Sequence, residues 1–202
     1  MRLTLLPLLL LAACATPNAG TPAGSTAMGS NMPAARAAAD FPPVLGSFRR
    51  SGAVTDYGAA TGLGRSARYQ RENGDFATVY LYDRGQRRAP EGPSSPDVVA
   101  ELSATRAELQ AVVAMGRYRS VQPAEAELLI ERRSDGKPGM RCNNYNIVQG
   151  DGAATGDGVC VTVLNGQFLK VRSTAANGNP RRASLVAAEL ILAVQDAPSA
   201  AP

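Results

Sequence analysis

Residues 159–173 read VCVTVLNGQFLKVRS, and this stretch decides the fold of the chain. Two runs rich in β-branched residues flank Asn165-Gly166, a strong hairpin signal because both residues tolerate the positive φ of a type I′ turn. A two-residue turn also sets the register of the two strands. This register predicts three facing pairs, Val163 with Phe168, Val161 with Lys170, and Cys160 with Val171.

A second pair, Asn73-Gly74, lies between residues 65–72 and 75–83 and predicts a similar hairpin. With a two-residue turn, Tyr69 faces Thr78 and Ala67 faces Tyr80. One side of this hairpin would then carry mainly aromatic and arginine side chains, namely Arg65, Ala67, Tyr69, Arg71, Phe76, Thr78, Tyr80 and Tyr82. The opposite side would carry Ala77, Val79 and Leu81, which suit packing under a helix.

A third hairpin is predicted between residues 126–132 and 140–148, with its turn at residues 134–139. Residues 150–158 are rich in Gly and Asp. We expect them to form a loop that leads into the strand beginning at Val159.

Two helices complete the set of elements. Ser95-Pro96 supplies an N-cap and a first-turn proline, and Asn179-Pro180 opens a second helix. Apolar residues recur at helical spacing after both starts. The order is ββαββββα, with a further strand possible near Leu45–Arg50. Because hairpins imply an antiparallel sheet, we predict an α+β fold with about six strands and two helices packed on one face.

This order of elements resembles that of the PsbP/Mog1-like sandwich, which is found in some exported bacterial lipoproteins. The resemblance covers residues 41–196 and concerns element order alone. It therefore implies a fold and no functional residue.

The N-terminus begins MRLTLLPLLLLAAC, in which one arginine precedes an apolar run that is too short to span a membrane. Leu11-Ala12-Ala13-Cys14 resembles the lipobox of bacterial lipoproteins. This resemblance implies cleavage before Cys14, a diacylglycerol thioether on its sulfur and a fatty acyl group such as palmitate on its new amino group. An ordinary signal peptide cut near Ala13 or Ala15 is the alternative.

These features divide the chain into a signal peptide (1–13), a lipidated cysteine with a flexible tether (14–40), one α+β domain (41–196) and a frayed tail (197–202). The resemblance implies a periplasm-facing lipid anchor in the cell envelope. In a Gram-negative host, Ala15 after the acylated Cys14 favours the outer membrane over the inner one. An exported setting also favours a disulfide between Cys142 and Cys160, with two buried thiols as the alternative.

The composition excludes several kinds of catalytic and metal site. The chain of 202 residues has no histidine, which excludes Ser-His-Asp and Cys-His catalysis and the zinc sites that use histidine. A serine paired with Lys170, or carboxylates such as Glu125, Glu127 and Glu131, would remain for an enzyme. No nucleophile motif accompanies them, so we predict no enzymatic activity, no metal and no cofactor.

The aromatic-and-arginine side of the Asn73-Gly74 hairpin predicts a binding surface, because rings offer stacking and arginine offers a fork for carboxylate or phosphate. Side chains from the Asn165-Gly166 hairpin would extend it. The candidate ligand-binding residues are Arg65, Tyr69, Arg71, Tyr80, Tyr82, Lys170 and Arg172. Alternatively, the rings pack beneath a loop or an N-terminal strand while the arginine heads reach solvent.

The sequence thus predicts a lipid-anchored, non-catalytic envelope protein. Besides the membrane, reached through acyl chains on Cys14, its partner would be an envelope protein or an anionic lipid or glycan, and not nucleic acid. The alternatives are a structural or assembly accessory without a small ligand and, more weakly, a histidine-independent hydrolase.

Overall fold

A computed structural model describes residues 41–58, 61–85, 88–90, 92–130 and 139–196. Within these ranges the chain forms ten strands and two long helices. The strands are β1 (Val44–Leu45), β2 (Phe48–Arg50), β3 (Thr55–Asp56), β4 (Arg65–Gln70), β5 (Phe76–Tyr82), β6 (Tyr118–Pro123), β7 (Leu128–Ile130), β8 (Met140–Gln149), β9 (Ala154–Leu164) and β10 (Gln167–Ala175). The helices are α1 (Pro96–Ala114) and α2 (Pro180–Asp196).

All ten strands belong to one antiparallel sheet, so the predicted α+β class is confirmed. Its main path runs β1-β2-β4-β5-β10-β9-β8-β6, with β3 beside β4 and β7 beside β8. The prediction of about six strands was too low. It missed β6 and the short strand β3, and the strand expected near Leu45–Arg50 is the two-strand pair β1–β2.

The β9–β10 hairpin has the predicted turn and register. Asn165 and Gly166 have φ values of 54° and 81°, as a type I′ turn requires. Val163 faces Phe168, and Val161 faces Lys170. Because the two-residue turn sets the register, the prediction from Asn165-Gly166 alone was sufficient here.

The β4–β5 hairpin differs from its prediction by one residue. Tyr69 faces Ala77 and not Thr78. The turn has three residues, since the Arg71 amide donates to the Asp75 carbonyl at 2.9 Å and Gly74 alone takes a positive φ, of 88°. A slip of one residue moves a whole strand to the other face of the sheet, so the predicted common side of Arg65 to Tyr82 was wrong.

The segment from β7 to β9 confirms one prediction and corrects another. Strand β7 pairs with β8, as the third hairpin requires, although its turn lies outside the described residues. Residues 154–158, expected in a loop, are part of β9. A Cβ on Gly158 would lie 2.2 Å from the amide nitrogen of Ser184 in α2, so the glycine allows helix and strand backbones to approach closely.

The two helices begin where the sequence predicted. The Ser95 hydroxyl accepts a hydrogen bond from the Val98 amide at 3.3 Å, and the Asn179 side chain accepts one from the Arg182 amide at 3.0 Å. In the part of the chain that the structure describes, neither helix is both long and apolar enough to cross a membrane.

The helices pack on opposite faces of the sheet, which corrects the prediction of a single covered face. Helix α2 packs against the face that carries Leu169, Val171 and Val79. Helix α1 packs against the face that carries Val159, Val161 and Phe168. Strands β9 and β10 alternate between these faces and bury apolar side chains on both, so each face requires a cover.

A disulfide joins Cys142 in β8 to Cys160 in β9, as the sequence predicted for an exported chain. The two residues face each other directly in the register, and their Cα atoms are 4.0 Å apart. Both cysteines are buried beneath α2. The bond therefore joins two neighbouring strands in the buried interior of the sheet.

A cleft between helix α1 and the sheet

A cleft of about 390 Å³ lies between α1 and the face of the sheet formed by β5, β10 and β9. Side chains from the sheet, from α1 and from the segments beside β3 and β5 line it. They are Tyr57, Leu63, Tyr80, Tyr82, Arg84, Thr105, Glu108, Leu109, Val112, Val159, Lys170 and Arg172. Concave sites with apolar walls and a few polar groups are the usual form of ligand pockets.

The cleft brings together four of the seven side chains predicted to bind a ligand. Tyr80 and Tyr82 come from β5, and Lys170 and Arg172 come from β10. Lys170 lies directly opposite Tyr80 in the β5–β10 register. These four share a face because β5 and β10 pair directly and every second residue of each strand points to the same side of the sheet. The register of β10 with β9 was predicted correctly.

The other three candidates, Arg65, Tyr69 and Arg71, belong to the opposite face of the sheet because of the one-residue slip in the β4–β5 hairpin. Arg65 pairs with Asp56 at 2.9 Å, in an exposed position. Tyr69 is fully buried and its hydroxyl donates to the Pro42 carbonyl at 2.9 Å.

Arg71 also has structural partners on that face. Its guanidinium lies 4.1 Å from the centre of the Phe48 ring and pairs with Glu189 of α2. The group of seven predicted side chains is therefore divided by the sheet. Only its β5 and β10 members line the cleft.

The floor of the cleft is a network of charged and polar groups around Glu101 of α1. Its carboxylate accepts hydrogen bonds from the Tyr82 hydroxyl, from Nε of Arg84 and, at 3.2 Å, from Nζ of Lys170. The Glu101 side chain is only 2% exposed. A buried carboxylate requires such partners, because an unpaired charge in the interior is strongly unfavourable.

These partners keep Glu101 ionised. Burial alone raises the pKa of the carboxyl, but the hydrogen bonds from Arg84 and Tyr82 and the charge of Lys170 outweigh it and hold the pKa below its usual range. Burial and the neighbouring Glu101 carboxylate raise the pKa of the Tyr82 phenol, which therefore stays protonated and donates its hydrogen bond. At neutral pH the floor thus holds one permanent negative charge on Glu101.

A second carboxylate, Glu108, reaches the same cations from the mouth of the cleft. One of its oxygens lies 3.3 Å from Nζ of Lys170 and the other 3.6 Å from Nη2 of Arg84. In contrast to Glu101, its side chain is 55% exposed. The two cations are therefore shared between a buried and an exposed carboxylate, and the four charges cancel.

Aromatic rings surround the lysine. Nζ of Lys170 lies 5.4 Å from the centre of the Tyr82 ring and 5.8 Å from that of Tyr80, within the range of cation–π attraction. Two residues further along β10, Arg172 pairs with Asp157 at 2.7 Å and donates to the Tyr118 hydroxyl at 2.8 Å. The charge of Arg172 is thus balanced by a buried carboxylate, Asp157. Lys170, in contrast, has one exposed carboxylate partner, Glu108.

The backbone at Arg84 is held in an uncommon conformation. Its φ is 54°, which is rare for a residue with a side chain and costs free energy unless the surroundings enforce it. The Arg84 amide donates to the Gly62 carbonyl at 2.9 Å. Gly64 lies so close to β5 that a Cβ would be 2.0 Å from the Leu81 carbonyl oxygen. The segment at residues 61–64 thus holds the Arg84 backbone where its guanidinium reaches Glu101.

The walls and mouth of the cleft are apolar. Leu109 and Val112 of α1 and Val159 of β9 line it. Tyr57 and Leu63 are 39% and 54% exposed and lie at the mouth. Exposed apolar groups beside a cleft are typical of binding surfaces.

The sequence did not predict Arg84, Glu101 or Glu108 as parts of the site. A signal was present, since Glu101, Thr105, Glu108 and Val112 follow one another at helical spacing along α1. Glutamate on the sheet-facing side of a helix is almost never buried without a partner. In the described part of the chain, no cluster of three or more acidic or cysteine side chains is arranged to hold a metal ion.

No protein-family model matches this sequence, and no curated protein matches it. Among solved structures, the chain is similar to the solution structure of cyanobacterial PsbP (CyanoP) from Synechocystis sp. PCC 6803. The match has a TM-score of 0.43 and 12% sequence identity, and it covers 73% of this chain and 91% of the other. No functional residue is transferred from it.

Proposed function

We propose that this protein is a lipid-anchored, non-catalytic binding protein of the cell envelope, and that the α1 cleft holds an anionic amphiphile of that envelope. By anionic amphiphile we mean a single acidic group attached to an apolar body. One observation supports the proposal above all others. It is the placement of Lys170, buried at the floor of a cleft whose walls are aromatic and aliphatic.

The charge of Lys170 and the apolar walls of the cleft favour the same kind of ligand, an acidic group on an apolar body. A cation between two tyrosine rings attracts an acidic group, and the desolvated floor strengthens that attraction. Leu109, Val112 and Val159 would then cover an apolar body, and Tyr57 and Leu63 would contact its exposed end. An uncharged apolar ligand would use the walls but not the lysine, so the acidic group is the basis of specificity.

The contacts of Lys170 do not favour catalysis. A Ser-Lys hydrolase requires a serine hydroxyl within hydrogen-bond reach of the lysine amine. Among the described residues, the hydrogen bonds of Lys170 Nζ go to the carboxylates of Glu101 and Glu108. Glu101 in turn accepts from three donors, an arrangement typical of a structural carboxylate.

The anchor is proposed from the lipobox-like sequence Leu11-Ala12-Ala13-Cys14. Acyl chains on Cys14 would keep the protein at a membrane, since two or three chains give stable attachment. Labelling of growing cells with radioactive palmitate tests this part. We expect labelled protein from the wild-type gene and none from Cys14→Ser, and equal labelling of the two would refute the anchor.

Ligand binding is tested with the full-length chain attached to phosphatidylcholine vesicles. The chain has no tryptophan and six tyrosines, and three of the tyrosines line the cleft, so tyrosine emission reports on it directly. We expect decanoate to change the emission at lower concentration than decanol or decyltrimethylammonium. Equal responses to the three probes, or no response to any of them, would overturn the proposal.

Two variants test whether decanoate binds in the cleft. Lys170→Met should weaken decanoate binding at least tenfold, and Arg84→Gln, at a more exposed position, serves as a second variant in case the first does not fold. Arg65→Gln is the matched control, because that arginine lies on the other face of the sheet. Loss of binding in the control but not in the two cleft variants would contradict the assignment.

A photocrosslinking residue in place of Leu63 tests the ligand in intact cells, because Leu63 lies exposed at the mouth. We expect mass spectrometry to show a small acidic amphiphile attached there. A crosslink to a protein in its place would favour a protein partner and overturn the proposal.

A further inference from the structure

The two carboxylates that share the cations of the cleft are held very differently. Glu101 is buried and accepts from three donors, so removing it would leave two cations without their partner. Among the described residues, Glu108 accepts a hydrogen bond from Lys170 at 3.3 Å and lies 3.6 Å from Arg84, and its side chain is 55% exposed. Glu101 is therefore part of the floor, whereas Glu108 can leave it.

Little free energy opposes that departure. Ion pairs with an exposed partner are weak, because water solvates the freed carboxylate and the long side chain regains its rotamers. Glu108 can move to solvent by rotation of its side chain alone, without movement of α1. Arg84, itself 41% exposed, retains its hydrogen bond to Glu101.

The charge balance changes when Glu108 turns outward. Lys170 and Arg84 together carry two positive charges, of which Glu101 then balances one. One positive charge is left at the floor, beside the rings of Tyr80 and Tyr82. A site with this charge fits an acidic group with a single negative charge, and an electrically neutral group would leave it unbalanced.

We propose that Glu108 occupies the place of the ligand's acidic group in the empty cleft, and that the ligand binds by displacing it. This inference deepens the proposed function and rests on it. It assigns Glu108 a role in specificity, since a ligand without a negative charge cannot replace the interaction it breaks. It also predicts that the wild-type protein binds its ligand more weakly than the cleft permits.

The shared chemistry is one negative charge on an apolar chain, which a free fatty acid or an anionic phospholipid could supply. Two arms of the experiment distinguish these sources. In the first, decanoate is titrated against the full-length chain on phosphatidylcholine vesicles. In the second, the vesicles contain phosphatidylglycerol, and tyrosine emission is compared with that on pure phosphatidylcholine.

The decisive variant is Glu108→Gln, which keeps the shape of the side chain and removes its charge. We expect it to bind decanoate about tenfold more tightly than the wild type while its affinity for decanol stays within a factor of two. Glu189→Gln is the matched control, because Glu189 is a similarly exposed glutamate of the other helix, α2, and pairs with Arg71. Its affinity for decanoate should equal that of the wild type.

The outcomes separate this inference from the proposed function. If the wild type binds decanoate and Glu108→Gln binds it no more tightly, or Glu189→Gln gains equally, the displacement is refuted and the proposed function stands. If neither the wild type nor Glu108→Gln responds to decanoate or to phosphatidylglycerol, both are refuted. A gain in Glu108→Gln that Lys170→Met abolishes in the double variant supports displacement at the lysine itself.

Discussion

The two Asn-Gly hairpins share their turn sequence and differ in how their strands pair. In β9–β10, Asn165 takes a positive φ and a two-residue turn sets the register. In β4–β5, Asn73 keeps a negative φ, the turn has three residues, and every side chain of β4 is on the face opposite to the one predicted. Asn-Gly therefore indicates where the chain turns, and the contacts around the turn decide the register.

The contacts that decide it at β4–β5 are tertiary. Asp75 is buried, and its carboxylate accepts hydrogen bonds from the Ala176 amide, Asn73 Nδ2 and Arg182 Nη2, each at 3.0 Å. The three-residue turn also places Tyr69 in the core under α2, where burial of its ring contributes about 2 kcal/mol. At Asn165-Gly166 the Ala89 amide donates to the Gly166 carbonyl at 2.8 Å, but the geometry of the two-residue turn is sufficient to set the register there.

The largest expected effect comes from a substitution at the turn of the β4–β5 hairpin. Asp75→Ala removes the carboxylate that three donors share and should lower the free energy of unfolding by about 3 kcal/mol, because Arg182 and a backbone amide lose their partner. Urea denaturation measures it. The control is Asp56→Ala, which removes an exposed partner of Arg65 and should cost less than about 1 kcal/mol. Equal losses in the two variants would contradict the role given to Asp75.

The second prediction tests whether the turn alone sets the β9–β10 register. Replacing Cys142 and Cys160 together by alanine should lower the free energy of unfolding by about 3 kcal/mol, since the disulfide restrains the unfolded chain. We still expect the same facing pairs in β9–β10, read from cross-strand nuclear Overhauser effects. A changed register would show that the disulfide, and not Asn165-Gly166, holds it.

A smaller effect sharpens the comparison at the turns themselves. Asn165→Gly should leave stability within about 0.5 kcal/mol, because glycine adopts the positive φ of that site without strain. Asn73→Gly should cost about 1–2 kcal/mol, because it removes the hydrogen bonds between Asn73 and Asp75 and adds freedom to the unfolded chain. Thermal denaturation of both variants side by side gives the difference, and similar costs would mean that the turns are alike.

The smallest expected effect concerns the loss of stability at low pH. Burial alone raises the pKa of Asp75, but hydrogen bonds from Ala176 and Asn73 and the pairing with Arg182 outweigh it and lower the pKa. The stabilisation by this carboxylate is therefore complete above its unfolded pKa of about 4 and is lost as the pH falls below that value. Asp75→Asn should show a flatter fall in the free energy of unfolding below about pH 4 than the wild type. An unchanged slope would show that other carboxylates govern acid unfolding.

The same comparison explains how much the sequence could predict. Local signals were sufficient for the α+β class, for the helix starts at Ser95 and Asn179 and for the β9–β10 register. They failed at the β4–β5 register, because a residue distant in the sequence helps to decide it. Arg182, which donates a hydrogen bond to Asp75, lies 107 positions after it. The opposite placement of the helices could have been expected, because VCVTVL in β9 is apolar at nearly every position and so indicates burial on both faces.

The candidate site follows the same division. Lys170 and Arg172 were assigned to the correct face because their hairpin is governed locally. Arg65, Tyr69 and Arg71 were not, because tertiary contacts shifted their strand. Glu101 and Glu108 were missed as partners, since α1 was expected over the other face, where no lysine would have met them.

The β5–β10 ladder has a consequence for the order of folding. Strands β8, β9 and β10 follow one another and pair through short connections, whereas β5 and β10 are separated in the chain by α1 and four strands. Contacts between distant segments close large loops and form slowly. The cleft needs both that ladder and α1, because the ladder places Lys170 opposite Tyr80 and α1 supplies Glu101. Lys170 and Glu101 are 69 residues apart in the sequence. We therefore expect pulsed hydrogen exchange during refolding to protect β9 before β5. A chain that has not yet closed its last helix-to-sheet contacts would then have no cleft for a ligand to occupy.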